Sequence, residues 1–250
     1  MNISKHIDFT LLKSTATEHE IIELCQKAKE HNFYTVCVNS CYVSLAKLLL
    51  VDTDIKVCTV VGFPLGAMST KSKVFEAEQA IENGADEIDM VINLGYLKSR
   101  NYVSVLKDIT NVKNAIEDTP LKVIIEISEL NKNEIVKACE ICLDANADYI
   151  KTSTGFSKSG ATLTAVKIIK KIVKNRAKIK ASGGISDYEM ALKYIEAGAD
   201  RIGTSSEIKE PLNQNPQIRN TKIYKKYLDT MEKTNTSKTV QSKIYKNSEF

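Results

Sequence analysis

The sequence predicts an α/β protein with the (β/α)8 architecture of a TIM barrel. Eight short runs rich in β-branched residues occur between Ile7 and Gly203, and stretches of about 10–18 residues with helical apolar spacing separate them. Strands that alternate with helices form parallel sheets through helical crossovers. Eight such units within residues 1–206 fit a closed barrel. A doubly wound open sheet is the alternative, and it fits less well because no dinucleotide-binding glycine pattern follows a strand.

The eight predicted strands are short and follow one another along the whole body of the chain. They are Ile7–Thr10, Thr35–Asn39, Ile55–Val61, Glu87–Ile92, Leu121–Ile127, Tyr149–Lys151, Lys178–Lys180 and Arg201–Gly203.

The predicted helices have recognisable starts and ends. Glu18–Glu30 carries its apolar residues on one stripe, and Thr17 precedes Glu20 by three, the spacing of a capping box. Further helices begin near Asn131 and after residue 160. Gly84 and Gly198 each follow a helix and lead into a strand, as C-terminal glycines do.

Charge and composition predict one globular domain at 1–210 with a polar, basic extension at 211–250. The body, residues 1–206, has equal numbers of acidic and basic residues, while residues 207–250 hold nine basic and five acidic ones. We expect the extension to be partly disordered. Neither nucleic-acid nor membrane binding is expected, since the body has no basic excess and no apolar run approaches the length of a membrane span. Six cysteines and the absence of a signal-peptide pattern favour reduced thiols and a cytoplasmic location.

Candidate catalytic residues lie where strands end, because barrel enzymes carry their chemistry in the loops that follow the strands. Lys151 and Lys180 end neighbouring strands, and each is followed by small residues. Contact between two ammonium groups, like burial, disfavours the charged form of a lysine, and an uncharged lysine can attack a carbonyl. Asp89 lies in an apolar strand and must be paired or functional. The pattern predicts Schiff-base chemistry; a structural ion pair is the alternative for Asp89.

The loops after the last two strands predict a phosphate site. Gly183 and Gly184 would expose backbone N–H groups, and Ser205 and Ser206 would add hydroxyl groups at the start of a helix. Their joint position indicates a phosphorylated substrate that carries a carbonyl group. No metal site is expected: the three histidines all lie near the N-terminus, and no carboxylate–histidine cluster is visible.

Seven stretches together resemble the deoxyribose-phosphate aldolase family, whose members are metal-free class I aldolases. They span about residues 6–206 in the order expected of that family. The stretches are IDFTLLK from Ile7, VCVN from Val36, VGFPLG from Val61, EIDMVIN from Glu87, KTSTGF from Lys151, KASGGI from Lys180 and GTSS from Gly203.

The resemblance implies reversible cleavage of 2-deoxy-D-ribose 5-phosphate into acetaldehyde and D-glyceraldehyde 3-phosphate, with no cofactor and no metal. Lys151 matches the lysine that forms the Schiff base. Lys180 matches a second lysine that keeps the first uncharged and takes part in proton transfer, and Asp89 matches the aspartate that shuttles protons through a water.

The resemblance also implies the surroundings of these three residues and the context of the enzyme. The substrate pocket would include Asp8, Thr10, Cys37 and Thr154. The phosphate would be bound by Gly155, Gly183, Gly184, Gly203, Ser205 and Ser206. A dimer or tetramer of identical chains, working in deoxyribonucleotide and carbohydrate catabolism, is the expected context.

Two departures from the family pattern are Phe9, where members often have histidine, and the residue after Gly-Gly-Ile; the C-terminus is a third point of difference. An arginine usually follows Gly-Gly-Ile, and this chain has Ser186 there. We hypothesise that Lys158, in a neighbouring loop, supplies the missing charge. Some members close the site with a C-terminal tyrosine, and Tyr245 is the candidate for that part here.

Two other functions compete with an active aldolase. An isomerase or synthase with a phosphate-binding barrel would need a carboxylate or histidine base and would not need two lysines at strand ends. A non-catalytic phosphosugar-binding relative would be expected to lose Lys151, Lys180 or Asp89, and all three are present.

Overall fold

The computed structural model describes residues 2–208, of which 3–208 form one compact unit. Eight parallel strands close into a barrel in chain order, and the last strand pairs with the first. The predicted barrel is therefore confirmed, and the open sheet is excluded. The predicted extension at 211–250, with Tyr245, lies outside the described residues.

The strands alternate with helices that form the outer layer. The strands are β1 Ile7–Leu11, β2 Thr35–Val38, β3 Lys56–Val61, β4 Glu87–Val91, β5 Leu121–Ile124, β6 Tyr149–Lys151, β7 Lys178–Ser182 and β8 Arg201–Thr204. The helices are α1 Glu18–His31, α2 Val43–Leu49, α3 Thr70–Glu82, α4 Leu94–Lys98, α5 Tyr102–Ala115, α6 Lys132–Asp144, α7 Leu163–Val173 and α8 Tyr188–Glu196. Short 3-10 helices cover Ser4–His6, Ser40–Tyr42 and Ile127–Glu129.

Strand boundaries differ from the prediction mainly at β5 and β7. The predicted β5 extends to Ile127, but Glu126 adopts a left-handed backbone conformation (φ 54°), and Ile127 begins a 3-10 helix. β7 continues beyond Lys180 to Ser182, because Ser182 still pairs with Gly203 of β8. Both differences lie at the carboxyl end of the barrel.

Local capping explains where the helices start and stop. The predicted capping box at α1 is present, with Thr17 and Glu20 bonded reciprocally. Asn131 and Glu134 form a second capping box at the start of α6. Gly84 and Gly198 have φ values of 100° and 111°, a region where glycine has no Cβ penalty.

Alternation along the strands separates an apolar layer from a charged interior. Ile88 and Met90 of β4 pack into the apolar core between barrel and helices, whereas Glu87 and Asp89 lie on the other face of the same strand. Seven charged side chains are buried inside the barrel. They are Asp8, Glu87, Asp89, Lys122, Lys151, Lys180 and Arg201. The barrel interior is therefore a polar cluster, not a conventional hydrophobic core.

Over the part of the chain that the structure describes, the helices are too short or too polar to cross a membrane.

Candidate active site

A cleft of about 620 Å³ opens at the carboxyl ends of the strands. Its floor includes Lys151, and its walls come from the segments after β1, β6, β7 and β8. The predicted residues that line it are Thr10, Lys151, Thr154, Gly155, Gly183, Gly184, Gly203, Ser205 and Ser206. Asp8, Cys37, Asp89 and Lys180 are fully buried and do not line it. The predicted site residues thus fall into two groups: those that line the cleft and those that are buried in the barrel.

Asp89 joins the two candidate lysines. Its Oδ2 atom lies 2.8 Å from Lys151 Nζ and 2.7 Å from Lys180 Nζ, so both amines bond to one carboxylate oxygen. This proximity follows from register, because Lys151 and Lys180 are directly paired on β6 and β7. Of the three residues, only Lys151 also lines the cleft. Lys151 is therefore placed to meet a ligand, and the other two are placed to act on Lys151.

Further charged residues surround this core, and the sequence analysis missed three of them as site residues. Lys122 Nζ lies 2.7 Å from Asp89 Oδ1 and 2.8 Å from Glu87 Oε2. Arg201 binds Glu87 at 2.7 Å and Asp8 at 2.8 Å. The signal that identified Asp89, a charge within an apolar strand, is equally present in the strand containing Lys122, and it could have identified that residue.

The formal charges of the cluster nearly cancel. Its three carboxylates are those of Asp8, Glu87 and Asp89, and its cationic candidates are Lys122, Lys151, Lys180 and Arg201. Buried charges are costly unless they are paired. If three of the basic groups are charged, the cluster is neutral, and the fourth is then free to be an uncharged amine.

Lys180 has the electrostatic surroundings of a permanently charged group. Burial disfavours its ammonium form, but Asp8, with Oδ2 at 2.6 Å, and Asp89 outweigh that effect and raise the pKa of Lys180 far above its usual value. Lys122 is similar: the carboxylates around it overcome burial and raise its pKa well above the ordinary range. The expectation that contact between ammonium groups favours an uncharged lysine concerns Lys151, and a charged Lys180 is compatible with it.

Asp89 remains ionised for the complementary reason. Burial alone would raise its pKa, but Lys122, Lys151 and Lys180 together hold the pKa of its carboxyl well below the usual range. A carboxylate that bonds to three amines is a fixed anion in the resting protein.

Two cysteines lie beside this cluster. Cys37 and Cys58 are register partners on β2 and β3, and Cys58 Sγ lies 3.1 Å from Asp89 Oδ1. A hydrogen bond with Cys58 outweighs burial and lowers the pKa of the Cys37 thiol, while burial raises that of Cys58. Ligand atoms of Cys37, Cys58 and Asp89 all lie within 4.8 Å of one another. They suit a metal poorly, because the Asp89 oxygens already bind lysine ammonium groups.

Thr154 is held in the cleft wall by a residue that the sequence analysis did not single out. Glu126 Oε2 accepts hydrogen bonds from the backbone N–H of Thr154 at 3.2 Å and from its hydroxyl at 2.5 Å. Glu126 itself is buried, in the left-handed conformation that ends β5 early. Its position within the apolar run after Lys122 is the signal that could have identified it.

Three glycines of the predicted phosphate site have positive φ values, a backbone conformation that favours glycine. Gly155, Gly183 and Gly184 have φ values of 87°, 91° and 75°. Gly203 has a different task, because a Cβ there would lie 2.8 Å from Ser182 Cβ and 3.1 Å from Lys180 Cε. The helix start predicted after Ser206 is outside the described residues.

The position of Lys158 argues against the hypothesis that it supplies charge to the phosphate site. Its side chain is 73% exposed, its Nζ lies 2.8 Å from Glu129 Oε2, and it does not line the cleft. Ser186 does line the cleft, as does Lys13. The hypothesis is therefore replaced below by one that involves Lys13.

Gly160 supports the phosphate loop by close contact. A Cβ on Gly160 would lie 2.0 Å from the carbonyl oxygen of Gly183. We expect Gly160→Ala to displace that loop, to cost about 1–3 kcal/mol of stability and to raise KM for a phosphorylated substrate. Urea denaturation and steady-state kinetics measure both effects. Gly95→Ala is the control, because a Cβ there would meet only Asn93 Oδ1, at 3.3 Å, among the described residues. Equal effects of the two variants would contradict the expectation.

Asp8 makes the folded protein sensitive to acid. Burial opposes its charge, but Lys180 and Arg201 lower its pKa from 3.8 to about 2. A carboxyl group whose pKa falls on folding contributes stability above its unfolded pKa and loses it as the pH falls through the folded value. We expect about 2 kcal/mol of unfolding free energy to be lost between pH 4 and pH 2. Urea denaturation measures it, and Asp8→Asn should reduce the loss; an unchanged loss in this variant would contradict the assignment.

The fold and the site together define a class of protein. Parallel strands close around buried amines, and a cleft above them has glycine loops on one side, an arrangement typical of (β/α)8-barrel enzymes that act on small molecules. A family model described as DeoC/LacD family aldolase matches residues 4–206. The chain belongs to this family of aldolases, which confirms the resemblance and the prediction of an enzyme.

Relatives and solved structures agree with this assignment. The chain is 56% identical over 209 residues to the deoxyribose-phosphate aldolase of Finegoldia magna, a match that covers 84% of this chain and 98% of the relative. It is 49% identical over 214 residues to that of Mycoplasma capricolum, covering 86% and 96%. Among solved structures it resembles an aldolase named QR15, with a TM-score of 0.79, 48% identity and coverage of 82% and 92%. A tetrameric deoxyribose phosphate aldolase from Aeropyrum pernix has a TM-score of 0.75 at 31% identity, with coverage of 82% and 87%.

Proposed function

We propose that this protein is a deoxyribose-phosphate aldolase of the metal-free, Schiff-base class. It would cleave 2-deoxy-D-ribose 5-phosphate reversibly into acetaldehyde and D-glyceraldehyde 3-phosphate. The observation that carries the proposal is the position of Lys151, which lines the cleft and bonds to Asp89 beneath it. The names of relatives that share about half of their residues with the chain support the substrate.

The first stage joins Lys151 to the sugar. The uncharged Nζ attacks C1 of the open-chain aldehyde and gives a carbinolamine, which loses water to form a protonated imine. Asp89, whose Oδ2 atom lies 2.8 Å from Lys151 Nζ, would move protons through a water during these steps. Lys122 and Lys180 bond to the Asp89 carboxylate but do not line the cleft, so Lys151 is the one amine of the three that a substrate in the cleft can reach.

The second stage breaks the C2–C3 bond. The C3 hydroxyl loses its proton, its oxygen becomes the carbonyl of glyceraldehyde 3-phosphate, and the C2–C3 electrons pass into the imine to give an enamine on Lys151. Protonation at C2 restores the imine, and water releases acetaldehyde and the free amine. Because the protonated imine accepts the electrons, no metal or organic cofactor is required. The glycine loops and Ser205 and Ser206 would bind the phosphate through N–H and hydroxyl groups.

The same proposal covers the assembly and context of the protein. We infer a dimer or tetramer of identical chains, working in the cytoplasm in deoxyribonucleotide catabolism. The tetrameric relative supports association, and sedimentation equilibrium of the full chain tests it.

The direct test is product analysis with a chelator present. The full-length protein is incubated with 2-deoxyribose 5-phosphate and EDTA, and acetaldehyde and the triose phosphate are each measured by coupled reduction. We expect the two products in equal amounts and no effect of the chelator. Absence of both products would reject the proposal, and loss of activity with EDTA alone would reject its metal-free class.

A further inference from the structure

The cleft has a second cationic side chain that the reaction proposed above does not use. Lys13 follows β1 and lines the cleft with its side chain about half exposed. Among the described residues that line this cleft, the only side chains with an ionisable amine are those of Lys13 and Lys151, and none is a carboxylate. Lys151 is buried on the floor beside Asp89. The cleft therefore has a reactive amine at its floor and an available positive charge at its rim.

The barrel topology places Lys13 next to the glycine and serine loops. β1 pairs with β8, with Phe9 opposite Thr204, so the segments that follow these two strands are neighbours. Ser205 follows β8, and Gly184 follows β7; both line the same cleft as Lys13. A ligand held by these loops would lie in the same cleft as the Lys13 side chain.

Among residues 2–208, Lys13 is the cationic side chain at the cleft rim that an anion at these loops could use. Backbone N–H groups and hydroxyls carry only partial charges, whereas hydrogen bonds between a cation and a phosphate are about twice as strong as neutral ones. Ser186, at the end of the glycine loop, is uncharged, and Lys158 is paired with Glu129 outside the cleft.

We propose that Lys13 binds the phosphate group of the substrate and determines the preference for phosphorylated over unphosphorylated sugars. This inference rests on the proposed function, and it assigns to Lys13 the charge that is missing at Ser186. The phosphate would lie between Lys13 and the loops that follow β7 and β8, while the carbonyl end of the sugar reaches Lys151.

Lys13 can leave its present partner, Glu20, and bind a phosphate with little loss of stability. Lys13 forms an ion pair with Glu20 at the start of α1. The other carboxylate oxygen of Glu20 accepts hydrogen bonds from the N–H of Thr17 at 3.0 Å and from its hydroxyl at 3.2 Å. Glu20 therefore keeps its capping partners when Lys13 leaves. An exposed ion pair of this kind contributes little to stability, so a phosphate dianion can compete for the lysine.

The kinetic test compares two sugars that differ only in the phosphate. We expect Lys13→Met to raise KM for 2-deoxyribose 5-phosphate by about tenfold or more, because one charge-assisted contact is lost. KM for 2-deoxyribose should not change, and kcat should stay within about twofold of the parent for both sugars. Lys158→Met is the matched control and should change neither KM. Equal increases for the two sugars, or no increase with Lys13→Met, would overturn the inference.

A rescue variant and a binding measurement separate this inference from the proposed function. Ser186→Arg in the Lys13→Met background should recover most of the lost affinity, because it returns a cation to the same cleft. Inorganic phosphate should raise the melting temperature of the parent protein, and this shift should be lost in Lys13→Met but kept in Lys158→Met. Since the melting shift needs no turnover, it tests Lys13 even if the parent cleaves neither sugar, a result that would reject the proposed function. Phosphate stabilisation retained in Lys13→Met would overturn the inference.

Discussion

Replacing Lys151 with methionine is expected to lower kcat for sugar cleavage on the order of 10⁴-fold or more, which is the scale of losing a nucleophile. Methionine keeps an unbranched chain of similar size but cannot form an imine. The substitution also removes one of the four basic side chains around three buried carboxylates. The loss should therefore be catalytic, with a folded and stable protein. Steady-state kinetics with 2-deoxyribose 5-phosphate and a urea denaturation curve measure the two properties.

Covalent trapping identifies the atom responsible. Incubation with acetaldehyde, EDTA and borohydride, followed by digestion and mass mapping, should place one ethyl group on Lys151. The Lys151→Met variant should gain no ethyl group under the same incubation conditions. Lys158, which is 73% exposed, serves as an internal control for non-specific modification. Adducts spread over exposed lysines, with Lys151 unmodified, would contradict the imine mechanism.

Replacing Asp89 with asparagine is expected to impair both turnover and stability. Asp89 binds Lys122, Lys151 and Lys180 within 2.8 Å, so its loss removes one carboxylate contact from each of three buried amines. Lys122 keeps Glu87 and Lys180 keeps Asp8, whereas Lys151 loses its ion-pair partner among the described residues. Removing one partner of a buried ion pair commonly costs about 3–5 kcal/mol. We also expect kcat to fall by about 10³-fold, because the proton carrier is lost and the amine of Lys151 is no longer oriented.

Asp108 provides the matched control for this variant. It forms a fully buried ion pair with Lys73 at 2.5 Å, between α3 and α5 and away from the cleft. Asp108→Asn should destabilise the protein to a similar degree, measured by urea denaturation, but leave kcat of the folded protein nearly unchanged. If Asp89→Asn lowers kcat no more than Asp108→Asn does, Asp89 has a structural role only.

Much of the architecture could be read from local patterns. The predicted strands overlap all eight observed strands, and the capping box at Thr17 and Glu20 was placed correctly. Such features depend on residues near one another in the chain. The end of β5 was predicted too late, because the apolar run continues past Glu126 while the backbone there turns left-handed. That turn is linked to hydrogen bonds with Thr154, 28 positions away, which no local pattern contains.

The site was predicted less completely than the fold, for a similar reason. Lys151, Lys180 and Asp89 were singled out by their position in strands, and the structure brings them together. Lys122 and Arg201 were not predicted as site residues. The charge of Lys122 within an apolar strand was visible in the sequence, but the carboxylate partners of both residues are defined only when the barrel closes. Lys158 was proposed for the phosphate site because it follows β6 in a neighbouring loop, yet its side chain forms an ion pair with Glu129.

The sequence by itself determined the barrel, the position of Lys151 at the end of β6 and the positions of the glycine loops. Strand periodicity, helix caps and turn residues depend on residues only a few positions apart, so they can be recognised without the tertiary structure. Only the tertiary structure decided which charges meet. Closure of β8 against β1 brings Arg201 to Asp8, and Lys13 lines the same cleft as Ser205 and Ser206. Electrostatic energies depend on distance and burial, and these are set by the closed barrel and not by separation along the chain.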